Sequence, residues 1–123
     1  MNQARELIHC NGPASNGLTG HGVGVAILDT GIYPHIDFDD RITAFYDVLR
    51  KRASVYDDNG HGTHISAIIG GTGAGSEGRY CGVAPGCSLI SVKVLDAKGN
   101  GFASDVLTGL HWIREQRERL GIR

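Results

Sequence analysis

The chain has 123 residues, a net charge of −1 and a hydrophobic fraction of 41%. Those figures allow one modest globular domain and exclude an intrinsically disordered chain. So balanced a charge also argues against a nucleic-acid surface, and no apolar stretch approaches the length that spans a membrane.

Residues 1–20 read as an irregular lead-in, with turn signals at Asn11-Gly12-Pro13 and Asn16-Gly17. Val23 to Leu28 is a short continuous apolar run, which suits a strand of a parallel sheet covered on both faces. Asp29 falls at its carboxyl end, where open α/β sheets keep their ligand crevices, and Gly31 lets the chain turn away. A loop around Pro34 leads to Arg41–Tyr46, whose alternation and aromatic residues predict a second strand. The turn formers Asp57-Asp58-Asn59-Gly60 precede a helix from His61 to about Gly70, marked by Ile65, Ile68 and Ile69. A glycine-rich loop over 70–78 follows, then a strand over Ser88–Leu95.

In the last helix Ser104 is expected as the N-cap, with Asp105 in the first turn. Leu107, Leu110, Ile113 and Leu120 form its apolar stripe with Trp112 beside them, and Gly121 ends it. Strand, helix, strand predicts a right-handed parallel crossover. A parallel sheet would need a further strand, whereas the sequence ends at Ile122-Arg123. The expectation is therefore an α/β fold truncated mid-repeat, with open edges and apolar surface that favour aggregation or self-association.

Four landmarks recur in register: Val25-Ala-Ile-Leu-Asp-Thr-Gly31, then Asn59-Gly-His-Gly-Thr-His64, then Gly82-Val-Ala-Pro-Gly86, then Leu89–Leu95 followed by Lys98-Gly-Asn-Gly101. Together they resemble the subtilisin-like serine proteases, the subtilases, from about Gly20 to the chain end. The resemblance implies a parallel-sheet subtilisin-like fold in which 21–123 is the N-terminal part of a peptidase catalytic domain. Asp29 is then the catalytic aspartate and His61 the general base of an Asp-His-Ser triad. A helix start disfavours an imidazolium, so an anion such as Asp29 is needed beside His61. Thr30 is expected to hydrogen-bond the Asp29 carboxylate, and Gly62 to leave room for a substrate backbone.

By the same resemblance, Gly99, Asn100 and Gly101 form a strip that pairs with an extended polypeptide substrate, with Leu95 and Phe102 as pocket walls. No match to the family's serine motif or oxyanion-hole asparagine occurs, so these residues alone are expected to be inactive, with the missing C-terminal half as a partner. Calcium is common in the family, but no ligand loop is identifiable; Asp37, Asp39 and Asp40 read equally well as turn residues, and no metal is assigned.

The same residues admit other readings. Asp-Thr-Gly also marks dimeric aspartic proteases, where two copies of Asp29 would share a proton; the alternation of strands with helices opposes this. A non-catalytic peptide-binding module with the subtilase fold is the second alternative. His61, His64 and Asp58 lack zinc spacing, and His64 reads as a packing or hydrogen-bonding residue; His9, His21, His35 and His111 have no partner motif. The 70–78 loop lacks a P-loop ending, and Ser76 is no nucleophile elbow. Arg50-Lys51-Arg52 and the arginines at 114, 117, 119 and 123 read as solvated surface, with a Glu115–Arg119 pair. Cys10, Cys81 and Cys87, odd in number and without Cys-x-x-Cys, read as free thiols, and with the polar Met1–Glu6 start predict a cytoplasmic location.

Overall fold

Gly24–Asp29 forms strand β1, Ile42–Asp47 strand β2 and Ser88–Lys93 strand β3 of one parallel sheet in the order β1-β3-β2. Helix α1 spans His61–Gly70 and helix α2 spans Ala103–Leu120, with short 3-10 turns at Ile36–Phe38 and Ala74–Ser76. This computed structural model describes residues 17–123 and, before them, only Gln3 and Leu7. The lead-in turn at Asn11–Pro13, with His9 and Cys10, therefore lies outside the described residues.

β3 is the central strand, and its last five residues are buried. Its side chains alternate between two cores, as a two-residue period requires. Leu89 joins Ile27, Ile32, Phe38 and Cys87 beneath α1, where Ile65, Ala67 and Ile69 pack. Ile90, Val92 and Val94 join Val48 and Ile122 beneath α2. Among the described residues each sheet face thus has one α-helix, as continuous apolar strands demand.

α2 packs through only part of the expected stripe: Ile113, Leu120 and Trp112 hold, and Leu107 and Leu110 do not. Val106, Trp112, Ile113 and Leu120 lie on the core, whereas Leu107 is 58% and Leu110 47% exposed. The reason is Gly109: a Cβ there would approach Val92 and Val94 side chains to 3.0 and 3.1 Å, so the helix meets the sheet at the residue with no side chain. Ser104 is not the N-cap either. The helix begins one residue earlier, after extended Phe102, without a side-chain cap. Gly121 ends it as expected, at φ 63°, its N–H donating to Arg117 and Glu118 carbonyls. Arg119 Nε donates to Gln116 at 2.8 Å instead of meeting Glu115.

β3 ends at Lys93 rather than Leu95 because the Val94 and Leu95 N–H groups both converge on the Asp29 carbonyl, at 3.0 and 3.2 Å. Asp29, Lys93 and Asp47 consequently form one register row across the carboxyl ends of the three strands. Beyond α2 the chain returns to β1: Gly24 N–H donates to Gly121 O, and Arg123 N–H donates to Gly24 O, a parallel bridge between Gly24 and Ile122.

Candidate active site

Asp29 is the last residue of β1 and only 8% exposed. Its Oδ1 accepts the backbone N–H of Thr30 at 2.7 Å. His61 is the first residue of α1, and its Nδ1 lies 2.9 Å from both Asp29 carboxylate oxygens. An imidazole nitrogen so placed beside a carboxylate donates its proton to it, which leaves Nε2 as the nitrogen able to accept one. The aspartate side chain is 11% exposed and the histidine side chain 60%, so the carboxyl group is shielded and the ring accessible.

The arrangement that brings the pair together was not legible in the motifs. The Thr30 hydroxyl does not bond Asp29; it donates to Asp57 Oδ1 at 2.8 Å and accepts the Gly62 N–H at 2.9 Å. Asp57, which the sequence marks only as a turn former, is the hub. Its carboxylate accepts N–H groups from Asn59, Gly60 and Thr63 and the hydroxyls of Thr30 and Thr63. It thereby caps α1, whose N-cap Gly60 sits at φ 102° and has no side chain to do so. Burial opposes its ionisation, but the Thr63 hydroxyl and the Gly60, Thr63 and Asn59 N–H groups outweigh it and hold its pKa far below the usual carboxylate range. A signal for this existed in the spacing, an aspartate three residues before the N-cap glycine and six before a threonine.

Gly62 has a different role from the one expected. A Cβ there would lie 2.2 Å from Gly31 O and 3.0 Å from Gly31 N, so its bareness lets α1 seat on the turn that follows Asp29, rather than making room for a substrate. Gly31 is equally constrained, at φ 123° with Tyr56 O 2.1 Å from where its Cβ would be.

A cavity of about 270 Å³ opens beside the pair, lined by Thr30, Asn59, His61, Leu95, Lys98 and Gly99. Of the five residues expected on the substrate side, Leu95 and Gly99 face this cavity. Asn100, Gly101 and Phe102 line a second one of about 370 Å³, with Leu49, Arg50, Asp96 and Asp105. The strip is the wall between the two. Asp96 shapes it: Oδ1 accepts the Lys98 and Asn100 N–H groups at 2.9 Å each, and Asp96 N–H donates to Asn100 O. Those Asn100 and Lys98 bonds hold the exposed Asp96 carboxyl below its usual pKa. Asn59 Nδ2 ties the loop before His61 to this strip through Ala97 O at 2.9 Å.

Among the described residues no group of three or more His, Cys, Asp or Glu side chains converges to hold a metal ion. Of the aspartates read as turn residues, Asp37 accepts the Gly75 N–H at Oδ1, at 2.7 Å, and lies 3.5 Å from His35 Nδ1. His64 is exposed, away from His61's partner. Ser66 is buried and donates to Gly62 O, and Ser76 donates to Gly73 O. No serine among the described residues hydrogen-bonds the His61 ring.

A parallel α/β sheet thus carries an aspartate–histidine contact at the carboxyl ends of its strands, the arrangement that the sequence resemblance implies. The Subtilase family matches residues 20–120, and the chain belongs to that family. It is 44% identical over 120 residues to "Serine protease AprX" of Bacillus subtilis (strain 168), covering 96% of this chain and 27% of that protein. It is 44% identical over 98 residues to "Extracellular serine proteinase" of Thermus sp. (strain Rt41A), covering 79% and 22%. A solved cold-adapted subtilisin-like serine proteinase superposes with TM-score 0.71 at 35% identity, covering 80% of this chain and 34% of that one. The chain thus spans between about a fifth and a third of the length of the proteins it matches. The subtilisin-like fold excludes the dimeric aspartic protease, and Asp29 faces His61.

Proposed function

We propose that Asp29 and His61 are the aspartate and general base of a serine endopeptidase whose nucleophilic serine lies outside these 123 residues. The observation that carries this is the contact of His61 Nδ1 with both oxygens of the Asp29 carboxylate at 2.9 Å. Nε2 takes the proton of the serine hydroxyl as it attacks the peptide carbonyl, then returns it to the leaving amine. Asp29 holds the tautomer and stabilises the imidazolium without itself becoming protonated. Polypeptides are the substrates, laid along the strip of Gly99, Asn100 and Gly101 between Leu95 and Phe102.

A triad that loses one member retains about 10³ to 10⁴-fold catalysis through its oxyanion hole and substrate binding. The oxyanion-hole asparagine has no match in these residues, so the chain by itself hydrolyses no peptide. Supplying the remainder of a relative's catalytic domain in trans tests the proposal: labelling of the complex by a fluorophosphonate, weakened by Asp29→Asn, supports it. Peptide hydrolysis by the chain alone that survives Asp29→Ala would refute it.

The bare His61 ring also supports a second reading, a non-catalytic module that binds extended peptides along the same strip. Peptide binding by the chain without labelling in any complemented form distinguishes it. A cytoplasmic location is supported by the thiols alone, while the Thermus relative is described as extracellular. Fractionation of source cells decides it.

A further inference from the structure

Lys93 ends β3 in the register row between Asp29 and Asp47, and it is only 1% exposed. Its ammonium reaches past both carboxylates to the loops beyond the sheet. Nζ donates to Thr30 O at 2.6 Å, to Asp58 Oδ1 at 2.8 Å and to Leu95 O at 2.8 Å. The Tyr56 ring covers it, its centroid 5.1 Å from Nζ. An ammonium has three protons, and all three are used.

Those three acceptors belong to three segments of the candidate site. Thr30 follows the aspartate. Asp58 belongs to the loop that enters His61, next to the hub Asp57. Leu95 is the first residue of the proposed substrate wall. Leu95 N–H also donates to Asp29 O at 3.2 Å, so Nζ and that bond together close a ring around the backbone of the aspartate. A buried ion pair is weak evidence of stability, because an apolar side chain of similar volume often packs as well or better. What an apolar side chain lacks is three directed bonds, and the bonds are what join these segments.

We infer that Lys93 is a positioning residue, one that touches neither substrate nor His61 but holds the Asp29 turn, the approach to His61 and the Leu95 wall in one frame. The inference rests on the reading of Asp29 and His61 as a catalytic pair. It requires that removing the ammonium disturb the alignment of that pair while leaving the sheet intact.

The test is NMR on the ¹⁵N-labelled 123-residue chain, following the strongly downfield Nδ1 proton of His61 that a short bond to a carboxylate produces. In the unaltered chain the signal is expected. In Lys93→Met it is expected to vanish into exchange broadening, with the amides of Thr30, Asp58 and Leu95 shifted and those of Ile90 and Ile113 in place. A Lys93→Met chain that keeps its fold and the His61 signal overturns the inference and leaves the catalytic pair standing. Absence of the signal from the unaltered chain refutes the pair itself, and the inference falls with it. Should Lys93→Met not fold, Asp58→Asn decides, since the Asp58 side chain is 32% exposed: a broadened His61 signal supports the inference and an unchanged one overturns it. Loss of fold in both variants also overturns it, because Lys93 would then be a foundation of the fold rather than a means of aligning the pair.

Discussion

Gly62 and Gly31 meet backbone to backbone: a Cβ on Gly62 would stand 2.2 Å from the Gly31 carbonyl oxygen and 3.0 Å from its nitrogen. The first turn of α1 therefore rests directly on the turn after Asp29, and the histidine one residue earlier reaches the carboxylate because of it. Neither backbone can yield cheaply, since Gly31 is itself pressed against Tyr56 O. Gly62→Ala should destabilise the chain by about 3 kcal/mol, the upper part of the usual overpacking range, read as a lower urea midpoint. A substitution that leaves the midpoint within error would mean that the two turns are not in contact in solution.

Asp57 predicts a dependence on acid. Its folded pKa is depressed below the unfolded value of about 3.9. The stability it contributes is therefore complete above the unfolded value and is lost as pH falls through the folded one. Asp57→Asn should be less stable than the unaltered chain at pH 6 and show a flatter decline below about pH 4. Parallel acid-unfolding curves for the two proteins would show that another carboxylate carries the effect.

Tyr56 predicts the opposite limb. Burial, then its hydrogen bond to Asp47 and that carboxylate's charge, raise its pKa to about 12. A folded pKa above the unfolded one means stability present below about pH 10 and lost as pH rises towards the folded value. Ultraviolet titration should show a phenol ionising at about 12, absent from Tyr56→Phe. Its partner Asp47 also gains from the bond: burial opposes its ionisation, but Tyr56 and the Arg50, Arg52 and Leu49 N–H groups hold its pKa below the ordinary value.

The outer face of α2 predicts association. Phe102, Leu107 and Leu110 are 75%, 58% and 47% exposed, at a spacing that places the two leucines on one helix face. Leu107→Lys combined with Leu110→Glu should shift the sedimenting species of the chain towards monomer without loss of helix by circular dichroism. An unchanged distribution would place any self-contact elsewhere, for example at the β2 edge of the sheet.

Much of the architecture was written locally. Two apolar runs and one alternating segment, Arg41–Tyr46, predict three strands, and each was found within one or two residues of its expected limits. Isoleucines at helical spacing predict α1, and Gly121 stops α2 at the expected place. The errors on α2 share one cause: Leu107 and Leu110 are as apolar as Val106 and Ile113, and periodicity alone cannot say which stripe a sheet will accept. Gly109 decided that by allowing close approach to Val92 and Val94. The Ser104 cap failed because Ser104 already lies inside the helix, which starts at Ala103 after the extended Phe102.

Asp29 and His61 are singled out by their motifs, and the fold brings the two side chains into contact. Their supports are not singled out. Asp57 binds Thr30, 27 positions away, and Lys93 binds Thr30 across 63 and Asp58 across 35. An aspartate in a turn and a lysine at a strand end carry no mark of such partners, because hydrogen bonds of this range exist only after the sheet has set its register. The sequence by itself marked the two candidate groups and the runs that form the sheet. The tertiary structure alone decided how those groups are held, because burial and long-range hydrogen bonding are properties of packed segments and not of any one of them.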